Sequence, residues 1–228
     1  MTRLSGVRAC VFDAYGTLFD FASAAARCPG IPEEKRAALT SLWRDKQLQY
    51  TWLRTLQGRY ADFWQVTGDA LDFTLDSLDI AAPVLRARLM ELYLTLPAFP
   101  EVRDVLRQLR QAGFVTAILS NGSPAMLDAA VRAAGIGDLL DAVLSADAVQ
   151  QFKTHPRVYE YALTQLGLHP HQVSFQSSNA WDAFAASAFG MRVVWCNRYG
   201  QRHERLPGQP DHEVRSLAEL PALLAHPR

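Results

Sequence analysis

Residues 11–20, VFDAYGTLFD, constrain this chain more than any other stretch. The short apolar run ACVF reads as a buried strand, and it delivers one aspartate, Asp13, to the point where it stops. Gly16 fits a sharp exit from that point. In an open α/β sheet the carboxyl ends of the strands are where ligands bind. Asp13 is therefore a candidate nucleophile, and the rest of the chain has to supply its partners.

The region after Asp20 is helical in pattern. From Glu33 to about Leu96 the apolar residues recur in steps of three and four: Leu39, Leu42 and Trp43, then Tyr50, Leu53 and Leu56, then Tyr60, Phe63 and Trp64, and later Leu85, Leu89 and Leu92. That spacing predicts several amphipathic helices packed on each other. Pro29, Gly30 and Pro32 punctuate the start of this region, and Pro97 and Pro100 its end. The expectation is a helical insert, residues 20–97, hinged near 20 and 98 and set between two parts of one core, residues 1–19 and 98–228.

From Glu101 helix and strand alternate. EVRDVLRQLRQAG is a predicted helix closing at Gly113, and VTAIL is a strand delivering Ser120, Asn121 and Gly122. SPAMLDAAVRAAG is a helix with Ser123 as N-cap and Pro124 at its first position. The strand AVLSA leads to a loop carrying Lys153, HPRVYEYALTQLG is a helix, and the strand QVSFQ ends at Ser177, Ser178 and Asn179. The helix AWDAFAASAFG and a fifth strand, MRVVWCN, complete the alternation; the Pro-rich tail holds one short helix near Leu217 to Leu224. Regular alternation implies the α/β class, with a parallel sheet and right-handed crossovers.

Charge narrows the function classes. Lys and Arg total 23, as do Asp and Glu, for a formal net charge of +0. That leaves no electrostatic footprint for nucleic acid or an acidic membrane surface. No segment approaches the ~20 apolar residues of a membrane span, and no run long enough for a signal peptide precedes Asp13. Cys10, Cys28 and Cys196 show no metal-ligand spacing, and sparse cysteines suit a reducing, cytoplasmic setting.

Four strand ends or the loops after them offer polar residues: Asp13 and Thr17; Ser120 and Asn121; Lys153; and Ser177, Asn179 and Asp182. Singly, each has an ordinary explanation. A strand-end Asp is a turn residue, Ser and Asn before a helix are caps, a loop lysine is solvated, and Asp182 in a first helical turn answers the helix dipole. Their shared place at one edge of one sheet is what favours chemistry.

FDAYGTLFD, LSNG, the lysine preceding HPRVY, and SSNAWDA resemble the four motifs of the haloacid dehalogenase superfamily, and within it those of the L-2-haloacid dehalogenases. LWRDKQLQYTWLR resembles the cap segment of the same enzymes, so the resemblance covers nearly the whole chain. It implies a Rossmann-like parallel sheet core with an inserted helical cap domain. It also implies hydrolysis of short L-2-haloacids to D-2-hydroxyacids with release of halide, without metal or other cofactor. The residues separate this branch from phosphatases chemically. Superfamily phosphatases resemble the pattern DxD, whose second aspartate protonates a leaving alkoxide; here that position is Tyr15. Their last motif adds acidic residues for Mg²⁺, which usually takes one or two carboxylates, whereas this chain offers Ser177, Ser178, Asn179 and only Asp182. A halide leaves as a stable anion and needs neither.

The resemblance also implies a role for each residue. Asp13 attacks C2 of the haloacid, forming an ester with inversion, and water then attacks the ester carbonyl. Lys153, oriented by Asp182, favours the ionised Asp13, and Thr17 hydrogen-bonds its carboxylate. Arg44 projects from the cap and, with Asn121 and Trp181, receives the departing halide in a dry site. Ser120 binds the substrate carboxylate, Ser177 and Asn179 position the hydrolytic water, and Tyr159 completes the polar shell. Tyr15, Leu48, Phe63 and Trp181 line an apolar pocket, although Phe63 and Trp181 read equally well as core. Arg44, Leu48 and Trp52 share one helix face at i, i+4 and i+8. Three residues depart from the pattern. Asp45, placed at the substrate beside Arg44, either weakens the arginine's field or faces solvent; Thr154 follows Lys153 in place of proline; Gln176 replaces an apolar strand residue. A homodimer is implied by resemblance alone. Three alternatives stay open: a hydrolase opening another 2-substituted or cyclic imino acid through the same ester, a Mg²⁺-dependent phosphatase, and a ligand-binding protein without catalysis.

Overall fold

The computed structural model describes residues 3–21, 28–80 and 83–225. Its centre is a sheet of β1 (Ala9–Phe12), β2 (Val115–Ser120), β3 (Ala142–Ser145), β4 (Val173–Ser177), β5 (Arg192–Cys196) and β6 (His212–Val214). The spatial order is β3-β2-β1-β4-β5-β6, and every pairing is parallel. Strand order reverses at β1, the switch point at which Rossmann-like sheets open a crevice. All four residues of β1 are buried, with Cys10 and Phe12 in one core cluster and Ala9 and Val11 in the other. Burial on both faces is why ACVF is an unbroken apolar run rather than an alternating one. Phe12 sits opposite Ile118 and Gln176, so β1, β2 and β4 finish at one edge.

The expectation of five strands is corrected to six. β6 is the three-residue segment HEV, pairing with β5 through Val194 and His212, and a segment that short carries no readable period.

The helices α1 (Glu33–Gln57), α2 (Phe63–Ser77) and α3 (Pro83–Leu92) fall between β1 and β2, with α4 (Val102–Gln111) after them. Then come α5 (Pro124–Ala134), α6 (Pro156–Leu166), α7 (Ala180–Ala188) and the short α8 (Leu220–Leu223). α1 and α2 are joined where the Trp43 indole N–H donates to the Thr67 carbonyl at 2.9 Å. α1 ends at Gly58, whose φ of +62° is the left-handed C-terminal conformation that glycine adopts without strain.

The segments leading to and from α1–α3 run side by side. Phe19 and Ala98 form an antiparallel bridge, Asp20 N–H donates to the Pro97 carbonyl at 2.9 Å, and Phe99 N–H to the Leu18 carbonyl at 2.9 Å. Residues 22–27 and 81–82, both within the expected insert, lie outside the described residues. The inserted helices touch the sheet half at several points. The Tyr60 hydroxyl donates to Asp147 at 2.7 Å, and Phe152 N–H donates to Thr55 Oγ1 at 3.2 Å. The Trp52 and Trp181 rings meet edge to face with centroids 5.7 Å apart.

Candidate active site

Asp13 comes directly after β1, and its N–H extends the ladder to the Gln176 carbonyl at 2.8 Å. The chain then curls around one oxygen: the Ala14 carbonyl accepts the N–H groups of Thr17, Leu18 and Phe19 at 3.2, 2.9 and 3.0 Å. Gly16, with φ +85°, makes that curl possible. The curl brings Thr17 back over the strand end. Its hydroxyl donates to Asp13 Oδ2 at 3.1 Å while accepting Ser178 N–H at 2.8 Å.

The rest of the Asp13 shell comes from two other strand ends. From the end of β4, Asn179 Nδ2 donates to Oδ2 at 2.7 Å and the Ser177 hydroxyl at 3.3 Å. From the loop after β3, Lys153 Nζ donates to Oδ1 at 3.1 Å. Oδ2 thus receives three hydrogen bonds and Oδ1 one. Lys153 is 1 % exposed, which corrects the reading of a solvated loop lysine. Its ammonium also donates to Asp182 Oδ2 at 2.8 Å, and Tyr159 O–H donates to Asp182 Oδ1 at 2.8 Å. Asn121 enters from the end of β2, its Oδ1 accepting the Lys153 backbone N–H at 2.8 Å.

The electrostatics are those of two carboxylates sharing one cation. Burial alone would push the Lys153 ammonium down, but Asp13 and Asp182 outweigh it and hold the group above the ordinary lysine value. Burial pushes Asp182 up to about 6; Lys153 offsets part of that rise and the charge on Asp13 adds to it. The Tyr159 hydroxyl is raised well above its usual range by burial and then by Asp182, so it stays a donor. Burial raises Tyr15 likewise.

From α1, Arg44 reaches across: Nη2 donates to Asn179 Oδ1 at 3.1 Å and Nη1 to Gln47 Oε1 at 2.6 Å. A solvated helix arginine is therefore not what the chain builds. Tyr15 packs on Phe63 with ring centroids 6.0 Å apart and on Tyr93 at 5.1 Å, and its buried hydroxyl has no hydrogen-bond partner among the described residues. Ser120 is buried and its hydroxyl accepts the Gly122 N–H at 3.1 Å. A cavity of about 280 Å³ opens beside these groups, bounded by Tyr15, Arg44, Asp45, Asn179, Tyr199 and Gln201. A larger apolar cavity of about 530 Å³ lies against Trp52, Tyr159, Trp181 and Phe189, and neither Asp13 nor Arg44 lines it.

Asp13, Thr17, Asn121, Lys153, Tyr159, Ser177, Asn179, Asp182 and Arg44 are thus brought into one hydrogen-bonded assembly. Leu48 is half-buried on the same helix as Arg44, and Trp181 meets Trp52 rather than Tyr15. Asp45 is exposed, lines the same cavity as Arg44 and forms no ion pair among the described residues. Gln47, Tyr93, Tyr199 and Gln201 are additions that the motifs did not disclose. For Gln47 the available signal was its place three residues after Arg44, one helical turn away. Among the described residues no group of three or more His, Cys, Asp or Glu side chains is disposed to hold a metal ion.

Residues 7–190 match the haloacid dehalogenase-like hydrolase family. The chain is 46% identical over 223 residues to (S)-2-haloacid dehalogenase 1 of Pseudomonas sp. (strain CBS-3), an alignment covering 96% of each chain. Among solved structures it superposes on a dehalogenase with a TM-score of 0.94 at 45% identity, covering 97% of this chain and 98% of that one. It also superposes on the L-2-haloacid dehalogenase from Xanthobacter autotrophicus with chloropropionic acid covalently bound, with a TM-score of 0.86 at 39% identity, covering 95% of this chain and 98% of that one. The chain belongs to the haloacid dehalogenase-like hydrolase family, in the group of these L-2-haloacid dehalogenase relatives.

Proposed function

We propose that this protein hydrolyses short L-2-haloacids to D-2-hydroxyacids through an ester on Asp13, without a divalent metal. The observation that carries the proposal is the Asp13 environment: a buried carboxylate held by Lys153, Thr17, Ser177 and Asn179, with Tyr15 where a proton-donating aspartate would stand. Both carboxylates of the assembly are arranged around the Lys153 ammonium, so the cation that balances them is a side chain.

In the first step an Asp13 oxygen attacks C2 from the side opposite the halogen. The new C–O bond forms as the carbon–halogen bond breaks, the halide leaves with the electron pair, and C2 inverts. Oδ1 is the attacking atom, since Oδ2 is already engaged by three donors. Arg44 receives the halide, a role the resemblance shares among Arg44, Asn121 and Trp181, and Ser120 holds the substrate carboxylate. In the second step water adds to the ester carbonyl carbon, positioned by Ser177 and Asn179. The bond from Asp13 Cγ to the substrate oxygen breaks, one water proton goes to the new hydroxyl and the other is released. Tyr159 and Asp182 keep Lys153 in place, while Tyr15, Leu48, Phe63 and Trp181 supply the apolar walls.

The same reading takes residues 20–97 as a cap domain over a core of 1–19 and 98–228. It includes a homodimer, supported by resemblance and checked by sedimentation at twice the chain mass. It also includes a cytoplasmic location, supported by three cysteines that are unpaired. No described helix is long and apolar enough to cross a membrane.

The test is chloride release from L-2-chloropropionate in excess EDTA, with chiral analysis of the lactate. Release of chloride with D-lactate as product is expected, and Asp13→Asn gives no initial chloride. A single turnover in ¹⁸O-water places the label in Asp13 and none in the hydroxyacid. Turnover of p-nitrophenyl phosphate that requires Mg²⁺, or label arriving directly in the product, overturns the proposal.

A further inference from the structure

Arg44 brings its charge to the site with no carboxylate partner. Among the described residues it forms no ion pair, and its hydrogen bonds go to two amide oxygens, Asn179 Oδ1 at 3.1 Å and Gln47 Oε1 at 2.6 Å. The hydroxyl of Tyr93 lies alongside. Among the described residues, both acceptors hydrogen-bonded to the guanidinium are electrically neutral.

The Gln47 amide is itself fixed. The residue is fully buried in α1, and Nε2 donates to Thr67 Oγ1 at 2.8 Å and to the Tyr93 hydroxyl at 3.0 Å. Thr67 is anchored in turn, its hydroxyl donating to the Phe63 carbonyl at 2.6 Å. With both N–H groups engaged, the amide oxygen has only the Arg44 side to face, and a flip would set its NH₂ against a cation. A buried glutamine is stable only when its polar atoms are satisfied. Here three of its bonds are satisfied by α2, Tyr93 and Arg44, so the residue ties the arginine to the scaffold of the inserted helices.

A glutamate in this place would grip the guanidinium harder, through charge-assisted bonds. It would also cancel the charge that a departing anion needs, and fixed, uncompensated charge is what stabilises developing negative charge in a dry site. We propose that Gln47 is a positioning residue for halide departure: it aims Arg44 toward Asn179 through an uncharged acceptor and so leaves the arginine's field intact. This rests on the reading of Arg44 as the group that receives the halide.

The test compares Gln47→Glu, a near-isosteric change, with Arg44→Lys. Three quantities are measured: product inhibition by chloride and bromide, product inhibition by the D-2-hydroxyacid, and thermal stability. For Gln47→Glu the expected result is halide inhibition weakened about tenfold and kcat lowered by a similar factor, less than the roughly 10²–10³ lost with a whole stabilising donor. Hydroxyacid inhibition stays as in the unmodified enzyme, while the melting temperature falls, because the new carboxylate faces the Thr67 oxygen that the amide N–H had bonded. Halide inhibition unchanged in Gln47→Glu but weakened in Arg44→Lys overturns the role of Gln47 alone. Halide inhibition unchanged in both overturns the reading of Arg44 and this inference with it. Equal weakening of halide and hydroxyacid inhibition marks Gln47 as scaffold only and overturns the inference. If Gln47→Glu does not fold, Tyr93→Phe decides: loss of one oxygen holding the amide weakens halide inhibition selectively, and an unselective loss overturns the assignment.

Discussion

At Asp182 burial and charge oppose each other, and the outcome sets a pH dependence. Its carboxyl titrates near 6, above the unfolded carboxylate range, so folding favours the protonated form. Its contribution to stability is therefore full at acid pH and is lost as pH rises through about 6. Lys153 is raised as well, so its contribution is full below the ordinary lysine value and is lost only above it. Neither group weakens the fold as pH falls from neutral to 6. The expected acid limb in kcat/KM, centred near pH 6, thus reflects Asp182 releasing its hold on Lys153 rather than unfolding. Asp182→Asn removes that limb and lowers kcat by on the order of a hundredfold, which a pH–rate profile with parallel melting curves checks. These residues were legible because four strand ends, or the segments just after them, bring carboxylates, a lysine and amides to one edge of one sheet in a pattern that resembles the family's motifs. Gln47 and Tyr93 were not, since a glutamine one turn from an arginine is common on any solvated helix and only burial gives it meaning.

The elements were legible where punctuation coincided with period. Pro124 and Pro156 open α5 and α6 as expected, and Gly135 and Gly167 close them in the left-handed conformation. The paired apolar steps of residues 33–96 resolve into α1, α2 and α3. β6 escaped because three residues cannot show alternation. Direction is the other thing that period leaves out: Arg44 and Trp52 share a face of α1, but only the packing shows that this face meets Asn179 and Trp181. The end of α1 gives a clean test. A Cβ on Gly58 would meet nothing within 4 Å, yet φ is +62°. Gly58→Ala therefore carries only the backbone penalty, about 1–2 kcal/mol, read as a lower midpoint in denaturant with an unchanged m-value.

For the whole molecule, the question is how the inserted helices close on the sheet edge. Their position was legible from a long region without strands flanked by prolines, but the contacts that hold them down were not, because they join residues far apart in sequence. Tyr60 to Asp147 at 2.7 Å and Phe152 to Thr55 at 3.2 Å flank the Lys153 loop. Removing one partly exposed hydrogen bond to a carboxylate loosens closure by about 1 kcal/mol. Tyr60→Phe is therefore expected to raise KM for L-2-chloropropionate by about fivefold with kcat little changed, as steady-state kinetics would show. The bridge between Phe19 and Ala98 has a consequence of another kind. The outgoing and returning chain stand one ladder spacing apart, so the sheet sees the whole helical excursion as a single short hairpin stem. A reverse turn joined across that stem would let the sheet close without the excursion, and a different helical module could be spliced at the same two residues without re-threading a strand.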